Sequence, residues 1–335
     1  MTRALAYARR ALPRERKRAF HKMSSNAPSD PSRAAVAEAL FVPSVPIFPP
    51  AWGTNGEVPR GRAPRQAAAG LVAGAFAPAW GAEVVSSNIV GYTKVSLEAG
   101  LNLIGSQFLL VGGQTPNINE LTTSLDGQSG YDDSTYSPTT ELRVWTGNGY
   151  DTYGWTGDLL KDSPELAGEM GVTDDSIDNQ WLDMDYAVTE DPLANGQGFW
   201  IKAGSAGSVT LAGEVPSGDS ITINLVAGLN LVAYPWPMNV DLAKIQVTGQ
   251  KGYDNDSYNP TTEIRVWAGN GYDTYGWTGS LLTDSPDLAS EMGVTDDSLD
   301  NKWLNMDYEV PDEPINLGTG FWIKAQNAGT VTFSK

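Results

Sequence analysis

The chain contains no cysteine and a single histidine, His21. Without cysteine there is no disulfide, no thiolate nucleophile and no cysteine-based metal site. His21 stands in the basic N-terminal stretch. The rest of the chain therefore lacks a Ser-His-Asp triad, a histidine base and a histidine-ligated metal.

Positive charge is also scarce beyond the leader. Residues 1–82 hold 12 Lys+Arg against 4 Asp+Glu, whereas residues 83–335 hold 10 against 36, a net of −26. Nucleic acid is excluded as a partner, because its binding depends on releasing phosphate counterions with Lys and Arg. Attachment to an anionic membrane surface is disfavoured for the same reason. After residue 82 no apolar run is long enough to span a bilayer, so the mature chain is not expected to insert into a membrane.

What the chain does contain is one stretch written twice. Residues 130–179 and 252–301 align at a constant offset of 122 and differ at 11 of 50 positions. Residues 180–211 match their copies at 18 of 32 positions, a lower identity. Such a duplication implies two copies of one module.

The leader reads as an export signal. Arg60, Arg62 and Arg65 form a basic region, Ala67 to Ala79 a short apolar region, and Ala79-Trp80-Gly81 offers small residues for cleavage near Gly81 or Ala82. Such a signal normally begins at the N-terminus. Its displacement implies a translation start near Val58, with residues 1–59 a spurious or disordered extension; the rival reading is a long export or transit leader. Export predicts a bacterial extracellular or cell-surface location.

Each copy opens with two alternating apolar arms, YTKVSLEAGLNLIGSQF (92–108) and SITINLVAGLNLVAYPW (220–236), whose period of two predicts a half-buried hairpin. Single-turn helices fit Asn117 to Leu121 and Val240 to Ile245. A second hairpin follows at 141–155 and 263–277, turning through Gly-Asn-Gly. Ser163-Pro164-Glu165 and Ser285-Pro286-Asp287 predict a helix of about two turns, ended by Gly171 or Gly293. Two strands close each copy. The expected fold is all-β: two tandem sandwich or open-barrel domains, residues 83–215 and 216–335, each with one short helix.

The order Gly100-Leu101-Asn102-Leu103, Val144-Trp145, Gly149-Tyr150 and Gly196-Gln197-Gly198-Phe199-Trp200 resembles a module scattered through secreted bacterial proteins. The second copy repeats it at Gly228-Leu229-Asn230-Leu231, Val266-Trp267, Gly271-Tyr272 and Gly318-Thr319-Gly320-Phe321-Trp322. The opening SSNIVGY at 86–92 is similar to the start of a secreted bacterial group of unknown function. The resemblance covers nearly all of residues 86–335. It implies fold and export, and carries over no catalytic residue. The second copy departs from the first at Pro235-Trp236-Pro237-Met238.

Two sets of side chains are candidates for function. Trp145, Tyr150, Tyr153 and Trp155 recur as Trp267, Tyr272, Tyr275 and Trp277, and exposed rings of this kind stack on sugar faces. The competing reading is that they fill a core. Alternation puts Leu142 and Val144 on one face of the hairpin and Arg143 and Trp145 on the other. Trp200 and Trp322 are assigned to the core. The second set is acidic: Asp174, Asp175 and Asp178, repeated as Asp296, Asp297 and Asp300, which offer oxygens to calcium. They lack the spacing of an EF-hand loop, and solvated turns account for them equally. No acid, base or nucleophile is singled out for catalysis. The sequence thus points to a non-catalytic module that needs no cofactor, except calcium if the acidic loops bind it. Its expected partner is polysaccharide or a cell-surface component; the alternative is a structural protein that assembles with other copies of itself.

Overall fold

The computed structural model describes residues 89–335 and the backbone of residues 39–41. The expected signal segment, 60–82, and the rest of the leader lie outside the described residues. Strand β1 (Ala39–Phe41) pairs antiparallel with the first strand of repeat 1, from Ala39 opposite Thr93 to Phe41 opposite Gly91.

Repeat 1 contains β2 (Val90–Leu97), β3 (Gly100–Gly105), helix α1 (Ile118–Leu121), β4 (Thr122–Asp126), the short pair β5 (Tyr131–Asp132) and β6 (Ser137–Pro138), β7 (Glu141–Trp145) and β8 (Tyr150–Trp155). Helices α2 (Leu159–Asp162) and α3 (Pro164–Met170) follow, then β9 (Trp181–Leu182), β10 (Gly198–Ala203) and β11 (Gly207–Glu214). Repeat 2 runs through β12 (Ser220–Leu225), β13 (Gly228–Ala233), β14 (Ile245–Thr248), β15 (Glu263–Trp267), β16 (Tyr272–Trp277), α4 (Leu281–Asp284), α5 (Pro286–Met292), β17 (Trp303–Leu304), β18 (Gly320–Ala325) and β19 (Gly329–Ser334).

The all-β expectation holds, and each repeat is a pair of antiparallel sheets. In repeat 1 they run β1-β2-β11-β4 and β3-β10-β7-β8-β9; in repeat 2, β12-β19-β14 and β13-β18-β15-β16-β17. One expectation is corrected. The two arms that open each copy do not pair as a hairpin: β2 pairs with β11 and β3 with β10, so consecutive arms enter different sheets. The same period-two pattern serves both, because each arm needs only one buried face. Between the sheets of repeat 1, Val95, Leu97, Leu125 and Val209 meet Ile104, Leu142, Phe199 and Ile201. Repeat 2 builds the equivalent core.

The second hairpin forms as expected, with Trp145 opposite Tyr150 and Trp267 opposite Tyr272. Its turn uses Gly147 at φ +104°. The predicted helix is α3, closed by left-handed Gly171. Its cap is supplied differently from expectation. The Ser163 hydroxyl donates to the Tyr131 carbonyl at 2.6 Å, and the Asp133 carboxylate accepts from the Glu165 N–H at 2.8 Å. In repeat 2 the Asn255 side chain accepts from Asp287 N–H in the same way. More helix forms than the single one expected, since α2 and α4 precede the proline-initiated helices.

Both repeats belong to one compact unit. They meet through the outer faces of their five-stranded sheets, in a pseudo-twofold arrangement. Gly105 N–H donates to the Gly318 carbonyl at 2.9 Å and Ala233 N–H to the Gly196 carbonyl at 2.8 Å. Glycine is required here: a Cβ on Gly105 would stand 2.6 Å from Cβ of Ala233. Leu103, Trp200, Leu231 and Trp322 form a separate apolar cluster at this junction, with Trp145 and Trp267 packed against it.

Candidate ligand-binding grooves

The repeated aromatics divide into three groups. Trp155 and Trp277 are each 1% exposed, and pack on Trp181 and Trp303 with ring centroids 5.1 and 5.0 Å apart. Tyr153 is buried on the same side, and its hydroxyl donates to Asp191 Oδ2 at 2.7 Å. Its counterpart Tyr275 is half-buried against the repeat 2 core. Tyr153, Trp155 and Trp277 present no free face, so the expectation that they stack on a ligand is corrected: strand alternation turns them, and in part Tyr275, inward.

Trp145 and Trp267 face outward from their own repeats, as the alternation predicts, but the opposite repeat packs against them and leaves each half-buried. Each indole N–H crosses the junction, Trp145 Nε1 to the Leu229 carbonyl and Trp267 Nε1 to the Leu101 carbonyl, both at 3.0 Å. Their rings meet Trp322 and Trp200 edge to face, with centroids 5.4 Å apart in both cases. Trp200 and Trp322 are buried as expected, though at the junction between repeats and not between the sheets of one repeat.

Tyr150 and Tyr272 are the exception. Each is 42% exposed, beside the half-buried tryptophan of its own hairpin, at a centroid distance of 5.1 Å. Burial of part of the ring raises the Tyr150 phenol above its ordinary range, a rise that hydrogen bonding to the Trp200 side chain opposes.

From Tyr272 the outer face of the sheet opens into a shallow groove of 620 Å³. Its floor is Glu263, Arg265 and Thr274 on neighbouring strands, with Lys324 beside them, and Met306 overhangs it with 60% of its surface exposed. Repeat 1 sets Glu141, Arg143, Thr152 and Lys202 at the same register positions, but the cavity beside Tyr150 and the 66% exposed Met184 is lined instead by Asp151, Thr152, Tyr153, Asp183 and Asp191. Pocket-lining sequence differs at one place: Ser137 stands where repeat 2 has Asn259.

The charged residues of each floor form a linked set. Lys202 Nζ donates to Glu141 Oε1 at 2.6 Å, and Arg143 Nε to Oε2 at 2.9 Å. Lys324 and Arg265 hold Glu263 at 2.9 and 2.7 Å. Burial works to raise the Glu141 carboxyl, but the Lys202 and Arg143 hydrogen bonds and charges outweigh it and hold the group below the usual carboxylate range. A carboxyl depressed in the folded state adds stability that is present above its unfolded value and lost as pH falls through the folded one. Glu141→Gln should therefore flatten the acid side of the melting-temperature profile, below about pH 4. An unchanged acid limb would show that the pair contributes nothing.

Backbone strain borders the same grooves. Tyr136, Tyr186, Tyr258 and Tyr308 all take positive φ, between 56 and 64°. Bulky side chains rarely adopt this conformation, at a cost of about 1–2 kcal/mol per residue. Tyr136 directly precedes the Ser137-Pro138 strand, and Tyr186 lies two residues after Met184.

The acidic loops turn their carboxylates onto their own backbone. Asp178 Oδ1 accepts from Leu159 N–H at 3.0 Å and Asp300 Oδ1 from Leu281 N–H at 2.9 Å. Asp174 and Asp296 accept from Ser176 and Ser298 N–H, both at 3.1 Å, and hydrogen bonding to those serines lowers both carboxyls. Asp175 and Asp297 are exposed. Among the described residues no group of three or more His, Asp or Glu side chains is arranged to hold a metal ion. Also among them, no helix is long and apolar enough to cross a membrane.

The sequence reading named Tyr150 and Tyr272 but missed Glu141, Arg143, Lys202 and their copies. Their signal was available, since strand alternation sets Glu, Arg and Trp on one face of ELRVW and EIRVW. Comparison with known proteins finds no matching family model, no similar curated protein and no similar solved structure.

Proposed function

We propose that this is an exported, non-catalytic binding protein that holds polysaccharide or cell-surface material on two like sheet faces, one per repeat. The observation that carries this reading is the composition of the groove in repeat 2, whose residue pattern repeat 1 shares. An exposed tyrosine and an exposed methionine flank a polar floor of Glu, Arg, Lys and Thr on a rigid sheet. An aromatic ring supplies an apolar plane for the face of a sugar, and the linked ions and hydroxyl supply directed hydrogen bonds to its rim. Two weak sites on one rigid body gain avidity when both are occupied. Export rests on the leader residues 60–82 and on the secreted-module resemblance.

The test replaces only the exposed rings. Tyr150→Ala or Tyr272→Ala alone should lower retention on an insoluble polysaccharide about tenfold, and the double variant should abolish it. The melting temperature should stay near that of the parent, because both rings lie outside the cores. Full retention by the double variant would remove the two faces from the reading.

A further inference from the structure

Two sheet faces break the charge pattern of the chain. Residues 83–335 contain 10 basic and 36 acidic side chains, and only two of the basic ones are arginines. Those two are Arg143 and Arg265, at the same register position of the two repeats, opposite Thr152 and Thr274, and Arg265 lines the groove of repeat 2. Each floor carries two cations and one anion, so four of the ten basic residues serve six charged floor positions. A solvated sheet face on so acidic a protein would be expected to carry the opposite ratio.

The arginines are also held in a particular way. Arg143 binds Glu141 Oε2 through Nε and Nη2, and Arg265 binds Glu263 Oε2 through the same two nitrogens. Glu141 and Glu263 have side chains only 12% and 9% exposed, whereas those of the arginines are 33% and 34% exposed. The buried acid therefore fixes one edge of the guanidinium. Its Nη1 edge has no partner among the described residues and remains free to donate. A planar fork anchored on one side and open on the other suits a second carboxylate, because two parallel N–H groups match two oxygens.

We propose that each of these faces takes an acidic sugar unit, with the sugar carboxylate on the free edge of Arg143 or Arg265, the adjacent Lys202 or Lys324 neutralising it, and Tyr150 or Tyr272 against the ring. This rests on the polysaccharide reading above and narrows it to uronate-bearing polymers. The net charge of −26 repels such a polymer at long range. That field decays over about 30 Å at 0.01 M salt and about 8 Å at 0.15 M, whereas the guanidinium contact operates near 3 Å. Retention should therefore rise between those two salt concentrations, opposite to simple ion exchange on a basic surface.

The experiment uses the full chain against immobilised polygalacturonate and alginate, methyl-esterified polygalacturonate, dextran sulfate and cellulose, at both salt concentrations. The expected result is retention on a uronate polymer, a loss of about tenfold on methyl esterification, and a similar loss for Arg143→Lys with Arg265→Lys, in which charge is kept and the fork removed. Circular dichroism on that variant checks that folding is unchanged. Equal retention on the esterified polymer or on cellulose would overturn the carboxylate assignment and leave the polysaccharide reading standing. Retention on dextran sulfate alone would replace the carboxylate by a sulfate. Failure to hold any polymer would remove both readings.

Discussion

Trp145→Ala combined with Trp267→Ala is expected to uncouple the two repeats, turning one calorimetric transition into two at lower temperature. Each indole donates its N–H to a carbonyl of the opposite repeat and packs edge-on against a tryptophan there. Truncating a half-buried tryptophan costs about 2–3 kcal/mol, toward the low end of the range for large-to-small changes. The lost hydrogen bond adds about 1 kcal/mol per site. Together the pair removes about 6–8 kcal/mol from one interface, on the order of the whole stability of a small domain. Each repeat keeps its own core between its sheets, so the fragments of the transition should remain cooperative. A double variant that melts as the parent does would return the two indoles to the surface and make them candidates for ligand contact.

Gly130→Ala or Gly252→Ala should be the most damaging single methyl addition in its repeat. At both positions the chain lies directly against another backbone segment. A Cβ on Gly130 would fall on the Thr156 carbonyl, and one on Gly252 on the Thr278 carbonyl. Neither oxygen belongs to a flexible side chain that can swing aside. The carbonyls of the two glycines are themselves tied down, accepting from Thr139 and Thr261 N–H at 2.9 Å. Relief requires moving the segment that carries Tyr131 or Tyr253, whose rings are buried with the leucines of the helices. Overpacking of this kind costs about 3 kcal/mol. Chemical denaturation of each single variant measures it, and a change below about 1 kcal/mol would mean that the strand yields freely. Because the repeats share an interface, Gly252→Ala should also lower the transition seen by probes in repeat 1.

Much of this architecture can be read in the residues. The ELRVW and YDTYGW strands, the Gly-Asn-Gly turn and the proline-initiated helix follow from period and turn chemistry, which act within a few residues. Alternation also separates Leu142 and Val144 from Arg143 and Trp145. The misread hairpin of residues 92–108 has a physical cause: an arm with one apolar face satisfies a hairpin or a step between sheets equally well. Pairing partners 100 residues away decide which forms. The acidic loops show the same limit: the residues place Asp178 and Asp300 in a turn, and only the fold brings the N–H groups of Leu159 and Leu281 onto their carboxylates.

Composition and local period alone give the duplication, the all-β character, the acidic body and the lack of cysteine and histidine chemistry after the leader. Which rings are available is a property of the folded chain. Trp145, Trp267, Tyr150 and Tyr272 sit on the same kind of sheet face, and no local pattern distinguishes them. The opposite repeat packs against the tryptophans and leaves the tyrosines more exposed, because burial is set by how far the two sheets overlap.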